Sequence, residues 1–416
     1  MLSGKDIIIT GLQSWNFGLG SNIANMAKIL ARKNRVLFVN YALDRTTLWR
    51  RSNDYIVQQY KKSKASGKLA LEEITPGLVV FTPDIVLESI NQLGPPWLFD
   101  FLNARNSKKF AQKIRKAADQ LHLRDFILLS DSDFYRSFHL PEILEPSASL
   151  YYIRDNMIAT DYYRKHGPRM ERKFIEKVNL VIANSEVLAT YAREFNPNSY
   201  DVGQGCDLDL YDSVKNYTIP DDLKLAREKF PVCIGYTGAL KIIRIDEPLL
   251  YNLASSQPSF GFVFVGPEDA VFQDSKLHRL PNVFFLGRKP EKLLPSYLFH
   301  FDVAINPQII NDITQGNYPR KIDEYLAMGI PVVATETETM KIFRDHTYLA
   351  RTQDEFTERI GQALKENNPE LIERRKELAR QHTWENNISR INTAFDKVMD
   401  GKKVSAPAFG LGGAGC

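Results

Sequence analysis

An alternation constrains this chain more than any other feature. Short apolar runs recur along it, each followed by a stretch with helical spacing of apolar residues. In the first half the runs are Ile7–Thr10, Val36–Tyr41, Leu78–Thr82, Phe126–Ser130, Leu150–Arg154 and Leu180–Asn184. In the second they are Cys233–Thr237, Phe262–Gly266, Val283–Gly287, Val303–Asn306 and Pro331–Ala334. Strands separated by helices need crossover connections, which build parallel sheets with helices on both faces. Two such sets predict an α/β protein of two Rossmann-like, parallel-sheet domains. Asp, Ser, Asn and Pro cluster near Tyr211–Asp221, so the division is expected there. The first domain is then 1–214 and the second 220–383. Residues from Trp384 to about 400 read as a last amphipathic helix. The Gly- and Ala-rich remainder, 401–416, is expected to be a flexible tail.

Composition agrees with a globular enzyme. Of 416 residues, 25% are charged and 44% hydrophobic. Cys206, Cys233 and Cys416 are too dispersed for a disulfide framework or a metal cluster. No apolar run approaches the roughly 18 residues of a membrane span. Lys5-Asp6 precede a short strand rather than the apolar core of a secretion signal. The expected compartment is therefore the cytoplasm.

The segment Asn311–Thr335 carries the sharpest functional signal. A polar loop runs into Pro319, which suits the first turn of a helix because its missing N–H would be unpaired there. Arg320–Met328 reads as a short helix stopped by Gly329 and Pro331, with a buried strand after it. Lys321 and Glu324 lie three apart and share a helix face. A lysine near a helix start suits a phosphate, and a glutamate one turn later suits sugar hydroxyls. The same spacing also fits a capped surface helix with a Lys–Glu pair.

The pattern Pro319, Lys321, Glu324, Tyr325, Leu326, Ala327, Gly329, Pro331, Val332, Val333 resembles the donor-site helix of GT-B nucleotide-sugar glycosyltransferases, close to the large retaining family 4 (group 1). Ile234–Ala239, Phe262–Pro267, Asn282–Gly287 and Phe301–Pro307 resemble that family's preceding strands and loops. The likeness is good over about 230–335 and loose over the first 215 residues. It implies two domains facing across a cleft, with a C-terminal helix crossing back to the first. It also implies sugar transfer from a nucleoside diphosphate-sugar to a hydroxyl acceptor, in surface glycan or polysaccharide assembly, without metal, flavin or nicotinamide. In that family the glutamate at the Glu324 position holds the donor ribose. On this likeness Gly238, Arg288, Asn317 and Tyr318 border the donor, and Lys241 or Arg244, with Lys321, steady the leaving phosphate.

Two departures stand out. Many family 4 enzymes carry two glutamates with seven residues between them; eight before Glu324 stands Gly316. The arginine that usually follows the loop glycine is replaced by Ala239. Two other classes therefore stay open: a non-hydrolysing nucleotide-sugar epimerase of the same architecture, and a catalytically silent partner subunit.

The first domain offers weaker signals. Gly18 and Gly20 sit in the first strand–helix turn, where a Rossmann-like domain lets ligand approach the backbone, so they are read as an acceptor-side loop. Asp131, Asp133, His139 and Asp155 follow strand ends and are expected to border the acceptor, Asp131 and Asp155 as catalytic candidates. Paired carboxylates at a strand end also suit a divalent metal or a helix cap; no metal is expected.

Charge is uneven. The first 212 residues hold 28 Lys and Arg against 24 Asp and Glu, and the rest are balanced at 26 each. Arg45–Lys68 carries seven basic residues with Trp49, Tyr55 and Tyr60 among them. Arg105–Lys116 adds six basic residues and no acid. Such segments fit peripheral docking on an anionic membrane, at its inner face, beside a lipid-linked or other glycan acceptor. They also fit a nucleic-acid patch, or a plain solvated face on an enzyme with a soluble acceptor; no nucleic-acid partner is expected.

Overall fold

The structure is a computed structural model that describes residues 2–15, 21–50, 54–211 and 215–405, the last five as backbone only. The first sheet has eight strands: β1 (Asp6–Gly11), β2 (Arg35–Val39), β3 (Ala70–Thr75), β4 (Leu78–Thr82), β5 (Ile127–Asp131), β6 (Ala148–Ile153), β7 (Leu180–Ala183) and β8 (Ser199–Asp201). Their order is β8-β7-β6-β5-β1-β2-β4-β3. All pairings are parallel except the terminal β3–β4 hairpin. The central strands β1, β5, β6 and β7 are buried throughout, which their unbroken apolar runs dictate.

The second sheet has six parallel strands: β9 (Val232–Thr237), β10 (Phe260–Val265), β11 (Val283–Phe285), β12 (Val303–Asn306), β13 (Val332–Thr335) and β14 (Tyr348–Ala350). Their order is β11-β10-β9-β12-β13-β14. Each sheet reverses its strand order beside its first strand. In open α/β sheets that reversal opens a crevice at the strands' carboxyl ends.

Three sheet members escaped the sequence reading. β3 carries Glu72 and Glu73 and is largely exposed. A charged edge strand resists pairing with other chains and loses the apolar signature in doing so. β8 and β14 have three residues each, too few to show a period.

The chain then returns. Helix α1 (Asn22–Ala31) and the final helix α2 (Trp384–Ser405) pack together on the first sheet. Trp384, Ile388, Ile391, Phe395 and Val398 form one apolar stripe at helical spacing and join Ile7, Ile9 and Phe38 in a single core. Fully burying each such side chain stabilises by about 1.5–3 kcal/mol. Asn387 Nδ2 adds bonds to the carbonyls of Val202 and Gly203, at 2.9 and 2.8 Å. The helix runs on to Ser405, past Gly401, where the tail was expected to begin. Residues 406–416 lie outside the described residues.

Candidate active site

The site is built at the carboxyl end of the second sheet. β9 ends at Thr237, and its backbone N–H donates to the Tyr325 hydroxyl at 2.9 Å, tying the strand end to helix α3 (Lys321–Ala327). Gly238 follows with φ +132°, which an L side chain rarely adopts. A Cβ there would meet Tyr236 Oη at 3.2 Å and Lys321 Cε at 3.3 Å. The glycine thus leaves a narrow space between the loop backbone and the lysine.

α3 begins two residues later than Pro319, although the turn itself starts there: Ile322 N–H donates to the Pro319 carbonyl at 2.8 Å. Lys321 and Glu324 both face a cavity of about 690 Å3. Lys321 Nζ donates to Tyr236 Oη at 2.8 Å and lies 4.4 Å from that ring's centroid. Burial pulls the ammonium down to about 8, with Glu324 opposing the shift and Arg244 and Arg320 adding to it. Glu324 is buried and accepts from Arg320 Nε at 3.1 Å. Burial raises its carboxyl above the usual range, and Arg320 counters most strongly.

Gly238, Arg244, Arg288, Asn317, Tyr318, Lys321, Glu324 and Asp155 all line this one cavity. Asp155 reaches it from the first domain. Arg244 Nη2 lies 3.5 Å from Asp155 Oδ1. Asn317, with its amide nitrogen turned to Asp155, donates to it at 3.0 Å and accepts from Arg244 Nη1 at 2.8 Å. These three side chains bridge the two domains.

The other expected residues lie elsewhere. Lys241 is exposed and outside the cavity lining, so of the two cations considered after Gly238 only Arg244 is in place. Asp131 is fully buried, and Arg154 grips it through two bonds of 2.6 and 2.7 Å. Asp133 is likewise buried and holds Arg136, with Nη1–Oδ2 at 3.2 Å. Neither carboxylate borders the cleft cavity, because each is taken up by a neighbouring arginine. His139 sits just before the helix Leu140–Leu144, where burial and Lys177 lower its imidazole. It too is apart from the cavity. Gly18 and Gly20 lie outside the described residues.

Sequence reasoning missed Arg320, Tyr236, Glu291 and Asn306, all in the lining. Arg320 sat in the open beside Lys321, and its link to Glu324 was legible as an i,i+4 pair. Asn306 ends β12, and its buried amide nitrogen has no hydrogen-bond partner among the described residues. Beneath the cavity Asp323, which is fully buried, accepts from Tyr318 Oη at 2.9 Å and pairs with His382 Nδ1 at 2.7 Å. This network joins α3 to the segment leading into α2.

Gly316 has a steric reason. Its φ is +76°, its carbonyl accepts from Ser185 Oγ at 2.7 Å, and a Cβ would meet Leu188 at 3.1 Å. The first domain closes on this backbone, and both the positive φ and the tight contact disfavour a side chain there.

The likeness to known proteins follows these features. The family model described as glycosyl transferases group 1 matches residues 246–366. A Bacillus subtilis protein named for a glycosyltransferase role in teichuronic acid biosynthesis, TuaH, is 27% identical over 262 residues. That match takes in 59% of this chain and 62% of the relative, so the chain spans less than two thirds of the curated relative's length. Anabaena HepE, solved with UDP and glucose, superposes with a TM-score of 0.62 at 16% identity, over 94% of this chain and 99% of that one. A UDP-forming trehalose-phosphate synthase from Burkholderia vietnamiensis gives 0.71 at 10% identity, over 96% and 100%. The fold is GT-B, and residues 246–366 are similar to the group 1 glycosyltransferases.

Proposed function

We propose that the chain transfers a sugar from a nucleoside diphosphate-sugar to a glycan hydroxyl. The observation that carries this reading is the cavity at the carboxyl end of the second sheet. There Lys321, Arg244 and Arg288 supply positive charge and Glu324 supplies a hydroxyl acceptor. The diphosphate lies along Gly238, whose missing side chain lets the backbone approach it. Lys321 and Arg244 stabilise charge that grows on the departing phosphate; preorganised donors of this kind are worth about 3–4 kcal/mol each in studied enzymes. Glu324 holds the ribose, with Arg320 fixing its rotamer. HepE, which shares the fold, was solved with UDP-glucose, which supports a nucleotide-sugar donor.

Transfer proceeds with retention and without a metal. An inverting enzyme needs a free carboxylate or imidazole as general base at the acceptor. Asp131 and Asp133 are engaged by Arg154 and Arg136, and Asp155 by Arg244 and Asn317. The same engagement argues against Asp131 and Asp133 as metal ligands.

The acceptor is a glycan carried on a membrane lipid, met by the first domain at the membrane surface. Trp97 and Phe101 are 70% and 62% exposed on helix Pro96–Gln120, one turn apart, with Arg105 and Lys108 continuing the stripe. Trp49 is 80% exposed on the neighbouring helix Arg45–Arg50. Arg45 bonds Glu88, whose backbone is held by Asn106 of the long helix, so the two helices are tied to each other. Arg51 lies outside the described residues. Exposed aromatic rings beside cations suit the headgroup level of an anionic bilayer.

The test is turnover with labelled UDP-, GDP- and ADP-sugars and a lipid extract as acceptor. Label should enter the lipid fraction with the donor's anomeric configuration. Sugar release or epimerisation without transfer would end the reading.

A further inference from the structure

A second cavity, about 740 Å3, lies beside the first. The first domain contributes Asn184 and Asp201 from the ends of β7 and β8, and α2 contributes Arg390. Tyr318 and His382 close it from the second domain's side. Tyr318 lines both cavities, so one side chain is their common wall.

Most polar groups here are tied to one another, and they leave one buried acceptor over. Gln204 Oε1 accepts from Asn22 Nδ2 at 3.1 Å and from Asn184 Nδ2 at 3.2 Å, while Gln204 Nε2 donates to the Gly205 carbonyl. That chain of amides fixes the orientation of Asn184. Its Oδ1 is left buried with no partner among the described residues, in a side chain only 3% exposed. A ligand donor in the cavity that Asn184 lines would satisfy it. Asp201 Oδ1 accepts the Gly203 N–H at 2.8 Å, and Arg390 lies beside them, its Nη1 2.7 Å from where a Cβ on Gly203 would stand. The remaining acidic groups are neutralised: Glu186 by Arg193 and Glu338 by Lys341. Acceptors and donors therefore converge with little net charge, beside an aromatic ring. That mixture suits alternating hydroxyls and apolar C–H faces, and it does not suit a phosphate.

We propose that this second cavity binds a saccharide unit. The inference deepens the transferase reading by giving the glycan acceptor a place on the linker side of the cleft. A sugar held there touches Tyr318 and His382, whose shared partner Asp323 sits in α3 between Lys321 and Glu324.

Saturation-transfer NMR on the full chain tests it, with glucose, N-acetylglucosamine and glucuronic acid as probes at millimolar concentration. At least one should give a signal that persists when UDP, GDP and ADP are added together to fill the first cavity. The signal should fall severalfold in Asn184→Leu and in Arg390→Ser. Arg390 is exposed, so its variant keeps the test decisive if the buried Asn184 change disturbs folding. No signal from any probe, loss of signal on adding the nucleotides, or full signal in Arg390→Ser would each overturn the proposal. Because binding is read without turnover, a bound sugar in a chain that transfers nothing would uphold the site and defeat the reaction.

Discussion

At the residue scale the account rests on Lys321 and Glu324. Lys321 is held down to about 8 by burial, so its charge is lost as pH rises through that value. Nucleoside diphosphate affinity should then fall roughly tenfold between pH 7 and 9, one charge being titrated. Calorimetry at the two pH values checks this, and Lys321→Met should flatten the profile. Stability moves the other way. Between about 8 and the ordinary lysine range the unfolded chain holds a proton that the folded chain has shed, so unfolding becomes harder as pH rises there. Glu324 needs a conservative change. Glu324→Ala would take the nearer of two carboxylates from Arg320, which keeps Glu291 at 3.3 Å, and would leave a void where the buried side chain stood. Glu324→Gln keeps an oxygen for Arg320 and should leave the melting temperature within a few degrees, as a scanning calorimeter would show.

Among elements, α3 is the one to perturb. It is short, and it is held from below by Tyr318, Asp323 and His382. His382→Ala leaves the buried Asp323 with a tyrosine alone. We expect a loss of about 2–4 kcal/mol in denaturant unfolding and weaker nucleotide binding, whereas His382→Gln should recover much of both. Wild-type stability in His382→Ala would show that the network is incidental. The elements were also where the sequence was most and least legible. Central strands announced themselves because burial on both faces demands unbroken apolar runs. β3 was hidden by Glu72 and Glu73, which guard an edge. Asp323 was unreadable because nothing local says that a helical aspartate points inward; its partner His382 is 59 residues away. Asp131 and Asp133 misled for a related reason. A strand-end carboxylate looks alike whether it faces a ligand or an arginine that only the fold brings near.

For the whole molecule, the crossing of α2 decides whether the domains act together. It carries the second domain's chain back to the first sheet, and Asp155 meets Arg244 and Asn317 across the cleft. The likeness that named the fold was concentrated in the second domain. The first domain's Trp97–Phe101 stripe became visible only when the long helix showed which side was unburied. Sedimentation with anionic vesicles should retain the wild-type chain at low salt and release it above about 0.15 M, where exposed charges are screened. Trp97→Ser with Phe101→Ser should cut binding severalfold; unchanged binding would place the acceptor in solution.

The central claim, a nucleoside diphosphate held by Glu324 at the carboxyl end of the second sheet, is tested most directly by calorimetric titration with UDP, GDP and ADP. One of the three should bind the wild-type chain, and Glu324→Gln should weaken that binding at least tenfold, about 1.4 kcal/mol. Binding of none of them, or equal binding by the variant, would contradict the account.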